Sequence, residues 1–185
     1  MDFGIDYKAF SLNTKCFDHH SSIHGINHTY RVMYHVLQIA AANGLRAEGL
    51  AAFCAAYIHD LARLNDGYCV QHGAWASERK LHLYKDLFYK VGIKDKDLEK
   101  IDIAVRNHSI TKELEKDNSA YLVTALLKDA DALDRIRLGE GNLDIRFLRF
   151  RESVNMEVRA KEIFFATDKM SFRNFAEILK LIESI

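Results

Sequence analysis

The chain has 185 residues, 49% of them hydrophobic and 28% charged, a balance typical of one globular domain and unlike that of a disordered chain or a coiled coil. Lysine plus arginine and aspartate plus glutamate number 26 each, so there is no net positive charge to attract a nucleic-acid polymer or an anionic membrane. No apolar run approaches the roughly 18 residues that span a bilayer, and the N-terminus is unlike a signal peptide, so we expect a cytoplasmic protein. The three cysteines form no CxxC pair, so we expect reduced thiols.

Helical spacing and stop signals predict an all-α fold, a single irregular helical bundle over residues 1–185. The sequence has no proline, and valine and isoleucine form no alternating runs of the kind that strands show. In chain order, the predicted helices cover 27–43, 47–64, 73–91, 97–108, 119–137, 144–166 and 171–185, and the sixth can divide into two. Helix 47–64 is apolar on every side through Ala56, so we expect it in the middle of the bundle.

Histidines face the predicted core at the ends of two helices. His28 lies in the first turn of helix 27–43, on the face that carries Arg31, and His108 ends the apolar stripe of helix 97–108. A single histidine at a helix end is more often hydrogen-bonded or exposed than a ligand. No supporting pattern surrounds four others, which we expect at such ordinary positions: His19, His20, His35 and His82.

His59 and Asp60 end the most apolar of the predicted helices. A carboxylate there meets the negative end of the helix dipole and loses hydration, and both effects disfavour its charge. A divalent metal ion would offset that cost, because neutral imidazoles and carboxylates are its natural ligands. The segment LLKDADALDRIR supplies a further carboxylate, Asp131, on the helix face of Lys128 and Asp134.

Three segments, taken in order, resemble the motifs of the HD-domain metal-dependent phosphohydrolase superfamily: HGINHTYRV (24–32), AAYIHDLAR (55–63) and KDADALDRIR (128–137). The resemblance extends over residues 20–140 and implies an HD-domain bundle, followed by a C-terminal helical extension over residues 141–185. It implies a metal ion bound by His28, His59, Asp60 and Asp131. His72 and His108 would be ligands of a second metal ion or phosphate contacts.

By this resemblance the chain would be a phosphomonoesterase or phosphodiesterase acting on a nucleotide or another small phosphorylated metabolite. A mixed nitrogen and oxygen site suits manganese, iron, cobalt, nickel or zinc. Asp60 would also accept the proton of the attacking water, and Arg31 and Lys128 would neutralise charge on the phosphoryl group. The residues that we expect to contact substrate are His24, Arg63, His72, His108 and Asp134. For His24 and the cations, an ordinary exposed or hydrogen-bonded position is equally compatible with the sequence.

Two other interpretations stay open. Some proteins with this fold bind two irons through ligands in the order His, His-Asp, His, His, Asp and act as oxygenases, and this chain supplies that order with His72 and His108 in the middle. The interval from Asp60 to His72 is shorter than in members with a two-metal site, which favours one metal ion over two. A nucleotide- or metal-binding regulatory module without turnover is the interpretation from another class.

The segment 141–185 resembles no shared motif. Its apolar spacing can close the core or bury against a second subunit, so a homodimer is an open expectation. We interpret six aromatic residues as core or dimer surface rather than as a base-stacking platform: Phe147, Phe150, Phe164, Phe165, Phe172 and Phe175. Cys54 lies in an alanine-rich apolar helix and should serve packing.

Overall fold

The computed structural model describes residues 2–139 and 141–185, and every regular element within these ranges is a helix. The all-α prediction is therefore confirmed. The α-helices are α1 (Ile26–Ala42), α2 (Arg46–Ile58), α3 (His72–Lys90), α4 (Asp95–His108), α5 (Tyr121–Leu133), α6 (Arg151–Val154), α7 (Glu157–Thr167) and α8 (Phe175–Ile182). None of the helices in the described ranges has both the length and the apolarity that a bilayer crossing requires.

Helix α2 lies in the middle of the bundle, as its composition predicts. It packs against α1, α3, α4 and α5, and all residues from 51 to 58 are buried. A Cβ atom at Gly49 would overlap the side chain of Ala40 on α1, so the glycine lets these two helices approach closely. Cys54 is fully buried within α2, which agrees with a packing role.

The predicted helix 47–64 ends early, at Ile58. Nδ1 of His59 donates to the carbonyl of Ala56 at 2.7 Å, and this carbonyl is the acceptor that the next backbone N–H would use if the helix continued. The backbone then tightens to a three-residue spacing, with Leu61 bonded to the carbonyl of Ile58. His59 and Asp60 therefore lie on a tight turn that follows the helix.

The predicted helix 144–166 is broken, and Asp129 explains the break. This buried carboxylate on α5 accepts the backbone N–H groups of Arg149 and Phe150 at 2.9–3.0 Å. These bonds hold the chain extended before α6 begins. The segment after α5 is thereby attached to the helix that carries Asp131.

Helix α8 closes the core. Three residues of its apolar face are fully buried: Phe175, Ile178 and Ile182. The backbone N–H of Phe175 donates to the carbonyl of Phe10 at 2.9 Å, and the Phe175 ring packs edge to face on Phe53 with centroids 5.2 Å apart. Of the six aromatic residues expected in the core or a dimer surface, Phe147 and Phe165 do not lie in the core: they are 70% and 67% exposed.

Replacing Phe175 with alanine should lower the free energy of unfolding by about 3–5 kcal/mol, because the change leaves a cavity in the core. Phe165→Ala, at an exposed position, should change it by no more than about 0.5 kcal/mol. Urea unfolding followed by circular dichroism measures both values. Small and equal effects would contradict the placement of α8 in the core.

Candidate metal centre

Two histidines and an aspartate converge at the centre of the bundle. His28 comes from the first turn of α1, His59 and Asp60 come from the turn that follows α2, and all three are buried. Nε2 of His28 lies 3.2 Å from Nε2 of His59 and 3.4 Å from Oδ2 of Asp60. Nε2 of His59 lies 3.6 Å from the same oxygen. We call these residues the first triad; their ligand atoms lie close enough together to hold a metal ion.

A second triad shares Asp60 with the first. His72 begins α3, His108 ends α4, and their Nε2 atoms lie 2.8 Å apart. Oδ1 of Asp60 lies 3.1 Å from Nε2 of His72 and 3.7 Å from Nε2 of His108. One oxygen of Asp60 therefore faces each histidine pair. The short sequence interval does not keep His72 away from Asp60, and the two triads could hold two metal ions.

Hydrogen bonds fix the tautomers of the four imidazoles. Nδ1 of His59, His72 and His108 each lies 2.6–2.7 Å from the backbone carbonyl three residues earlier, and Nδ1 of His28 lies 2.8 Å from Oδ2 of Asp134. Because a carbonyl or an ionised carboxylate can only accept, each Nδ1 donates. A neutral imidazole that donates through Nδ1 has a bare lone pair on Nε2. All four imidazoles thus have an unshared Nε2 lone pair, and the four Nε2 atoms lie around the carboxylate of Asp60.

This arrangement fits metal ions and is hard to satisfy with protons alone. Two bare Nε2 atoms 2.8 or 3.2 Å apart repel each other unless a cation attracts both. Two nitrogens that bind one ion at about 2.0–2.1 Å are themselves about 3 Å apart. In addition, the buried Oδ1 of Asp131 has no hydrogen-bond partner among the described residues and lies 3.4 Å from Nε2 of His28. A metal ion would satisfy that oxygen.

The electrostatics of the centre favour the protonation states that bind metal. Burial lowers the pKa of His59 to about 3, against the attraction of Asp60. For Asp60, burial opposes ionisation, but the electrostatic interaction with His59 outweighs it and holds the pKa well below its usual range. For Asp131, burial is likewise outweighed, chiefly by Arg137, and the pKa falls to about 2. Ionised carboxylates and unprotonated imidazoles are the ligand forms.

Arg31 and Asp134 form a buried pair behind His28. The guanidinium of Arg31 donates to both oxygens of Asp134, at 2.5 and 3.0 Å, and lies 5.0 Å from the centroid of the Phe164 ring. Asp134 opens a 3-10 turn (Asp134–Leu138) where the sequence predicts continued helix. Both residues were expected to contact substrate or its phosphoryl group. The structure instead pairs them with each other, and Asp134 also accepts from Nδ1 of His28, so we expect the pair to position His28.

The metal centre opens into a cavity of about 580 Å³. Asp60, Asp131, His72 and His108 form part of its wall. The cations in the wall are Arg63, Lys128, Arg135, Arg137 and Arg149. Candidate metal ligands and positive charges thus line one half-open cavity.

The other residues expected to serve substrate also lie in this wall, each with a partner. Nε of Arg63 donates to Oδ1 of Asp60 at 3.0 Å, and Nζ of Lys128 donates to a carboxylate oxygen of Glu113, also at 3.0 Å. Nδ1 of His24 lies 3.0 Å from Oδ1 of Asp66. Burial lowers the pKa of His24 to about 4, so its ring is neutral at pH 7.

Several wall residues were not among the expected site residues, and four of them bear on function: Tyr68, Glu113, Phe147 and Arg149. They lie in loops or short turns, where helical periodicity gives no information on the direction of a side chain. Arg149 could have been found only through its distant partner Asp129, to which it donates from Nη1 at 2.9 Å. Phe147, expected in the core or a dimer surface, does not lie in the core, because its exposed ring lines the cavity.

His35 also differs from its expected ordinary polar position. It is buried on α1, its Nε2 has no hydrogen-bond partner among the described residues, and burial lowers its pKa to about 4. The ring is therefore a neutral packing group. His20 and His82, by contrast, are exposed as expected.

Comparisons of the chain with protein-family models, with curated protein sequences and with solved structures give no match. The HD-domain resemblance therefore rests on the three sequence motifs. Geometry carries the functional interpretation, and the two triads around Asp60 are its strongest element.

The two triads predict a content of two metal ions per chain. His28→Ala and His72→Ala should each lower bound metal by about one ion, and Asp60→Asn by more, because both triads lose the shared charge. His82→Ala, a change at an exposed histidine, should leave the content unchanged. Elemental analysis after reconstitution with manganese, iron or zinc gives the counts. Wild-type protein that holds no metal after reconstitution would contradict the site.

Asp134→Asn should weaken metal binding at the first triad by about 10–100-fold, because His28 loses the acceptor that orients it. The change also leaves Arg31 buried without its anion, so the assay belongs well below the unfolding midpoint of the variant. Asp144→Asn, a carboxylate change in the cavity wall and away from His28, is the matched control. Competition with a chelator measures the affinities, and unchanged affinity in Asp134→Asn would remove the positioning role.

Proposed function

We propose that the chain is a metal-dependent phosphohydrolase with an HD-domain architecture, acting on a nucleotide or another small phosphorylated metabolite as a monoesterase or a diesterase. The observation that carries the proposal is a buried pair of triads that shares Asp60 and opens into a cavity with arginine and lysine in its wall. Such a site combines ligands for divalent ions with cations that suit a phosphate group. The motif order His, His-Asp, Asp supports the same reaction.

The charges of the cavity wall are balanced before any metal binds. Five cations lie there beside five carboxylates, which are Asp60, Asp66, Glu113, Asp131 and Asp144. Bound divalent ions would leave an excess of positive charge in a partly enclosed space. An anionic substrate would neutralise that excess, which is why we favour a phosphate ester over a neutral molecule.

Asp60 would hold both ions, the first with His28, His59 and Asp131, and the second with His72 and His108. When bound, manganese, iron, cobalt, nickel or zinc would lower the pKa of water toward neutrality and polarise a phosphoryl oxygen. Arg63 and Lys128 lie in the wall of the same cavity. There the charge of Arg63 would stabilise the phosphoryl group as negative charge develops on it.

We assign proton transfer to His24 rather than to Asp60. Oδ1 of Asp60 already faces His72 and accepts from Arg63, and its Oδ2 faces the first triad, so neither oxygen is free for a proton. His24 lines the cavity and donates from Nδ1 to Asp66. Its Nε2 can therefore accept a proton, in the manner of a general base oriented by a carboxylate.

Two exposed aromatic side chains favour a nucleotide among small phosphorylated metabolites. Tyr68 is 91% exposed and Phe147 is 70% exposed, and both line the cavity into which the metal centre opens. Large aromatic side chains that stay exposed beside a cavity offer faces for a planar ring. Stacking of a base on an aromatic ring contributes about 1–3 kcal/mol.

A di-iron oxygenase is the second candidate. Its ligand order matches a set in this chain: His28, His59, Asp60, His72, His108 and Asp131. The closeness of His72 and His108 to Asp60 favours this candidate, because it supplies a second buried triad. Iron content and dependence of turnover on dioxygen separate the oxygenase from the hydrolase.

Release of inorganic phosphate from nucleotides, and of nitrophenol from a bis-nitrophenyl diester, tests the proposed hydrolase. We expect turnover by metal-reconstituted wild type, its loss on chelation, and a fall of at least about 100-fold in Asp60→Asn, which loses metal. His24→Gln should lower turnover by about 100-fold or more while metal content is kept. His82→Ala is the control that should keep both.

Three outcomes would count against the hydrolase. Iron-loaded protein that consumes dioxygen without releasing phosphate would favour the oxygenase. A nucleotide that is bound but never consumed would favour a regulatory module. Turnover that survives chelation and the Asp60→Asn change would mean that the triads are not the reaction centre.

A further inference from the structure

Glu113 is held by two cations of the cavity wall. Its Oε1 accepts from Nζ of Lys128 at 3.0 Å and from Nη2 of Arg149 at 2.5 Å. Its Oε2 accepts from Nε of Arg149 at 3.0 Å. The guanidinium thus binds the carboxylate through two donors, a geometry that suits phosphate oxygens equally well.

The fold fixes the two cations, whereas a loop supplies the carboxylate. Lys128 belongs to α5, one turn before Asp131, and its side chain is 5% exposed. Arg149 is anchored by Asp129, which accepts its backbone N–H and its Nη1. Glu113 lies in the loop between α4 and α5, and its side chain is 47% exposed. The side chain of Glu113 can therefore turn away while Lys128 keeps its bond to the carbonyl of Lys112 at 3.3 Å and Arg149 keeps Asp129.

The cations need an anion, but that anion need not be Glu113. A desolvated charge without a partner is strongly unfavourable, so Lys128, which is paired with Glu113, needs a counter-ion in its place, whereas Arg149 keeps Asp129. Hydrogen bonds from Arg149 lower the pKa of Glu113 to about 2, against its partial burial and with help from Lys128. Glu113 is therefore ionised at neutral pH and regains water when it leaves, so another anion from the cavity can replace it.

We propose that Lys128 and Arg149 form a subsite for a phosphate group of the substrate, distinct from the group at the metal triads, and that Glu113 occupies this subsite until substrate binds. Lys128 and Asp131 are three residues apart on one helix, a rise of about 4.5 Å. Both residues line the same cavity as Arg149 and Asp60, so one molecule with two phosphate groups could reach the subsite and the metal centre together. The substrate class is a nucleotide with two phosphate groups, such as a nucleoside diphosphate or bisphosphate.

The substrate class rests on the proposed function, whereas the anion subsite itself does not. A tethered carboxylate competes with a free anion at an effective concentration on the order of millimolar. Glu113→Gln keeps the shape of the side chain and removes its charge. It should therefore lower the apparent dissociation constant of inorganic phosphate at least about fivefold.

Phosphorus NMR titration with inorganic phosphate measures this constant on the full chain, as purified and again after dialysis against a chelator. Glu115→Gln removes the same charge from an exposed position of the same loop and should change the constant less than about twofold. Adding Lys128→Gln to Glu113→Gln should abolish the gain. Circular dichroism checks that each variant folds, and Glu113→Ala takes the place of any Glu113→Gln protein that does not.

Unchanged or weaker phosphate binding in Glu113→Gln would overturn the subsite, and so would an equal gain in Glu115→Gln, which would indicate a general charge effect. Phosphate binding that strengthens as expected in a protein without hydrolytic turnover would support the subsite and remove only the proposed function. Hydrolysis by wild type, together with no effect of Glu113→Gln on phosphate binding, would support the proposed function and remove only the subsite.

Discussion

The arrangement of the helices in this structure depends on one carboxylate, Asp60, that is buried among four imidazoles. Asp60 gives one oxygen to each histidine pair, although burial alone would disfavour its charge. The helices are arranged around it: α2 stops just before it, α3 begins with His72, and α4 ends with His108. With their Nδ1 atoms already donating, the imidazoles present acceptors to a carboxylate that is also an acceptor. The centre therefore favours a cation over protons.

The orientation of the ligands follows from their places on the helices. His59, His72 and His108 each donate from Nδ1 to the carbonyl three residues earlier, so the local backbone orients them. His28 cannot do the same, because the carbonyl of Gly25 already accepts the backbone N–H and the hydroxyl of Thr29. A distant carboxylate takes over that task. This explains why Asp134 and its partner Arg31 are buried behind the site rather than in the cavity.

How much the sequence could predict depends on whether a residue lies within a periodic helix. The helical class, the central position of α2 and the closeness of His28, His59 and Asp60 follow from apolar spacing and motif order. The early end of α2 does not, because it depends on the bond from the imidazole of His59 to Ala56. Arg31 was misplaced for a related reason: a helical face shows which residues are neighbours, but not which distant partner binds them.

The sequence could not predict the wall residues that lie in loops, because their side chains are oriented by partners that are distant in sequence. Phe147 and Arg149 owe their positions to the attachment of the segment before α6 to Asp129. Nothing in the pattern of residues 141–185 indicates that attachment. The same holds for Glu113, whose partners lie on α5 and in this segment.

The hydrogen bonds that Arg149 and Phe150 donate to Asp129 also mark a boundary along the chain between the triad residues and part of the cavity wall. Every residue of the two triads precedes Asp131 in the sequence. The exposed ring of Phe147 and the guanidinium of Arg149, which line the cavity, come from the segment that Asp129 holds in place. Two backbone N–H groups, which any residues except proline could provide, join that segment to the helix that carries Asp131. Side chains of the segment other than Arg149 could therefore change to accept a different molecule while the candidate metal ligands stay where they are.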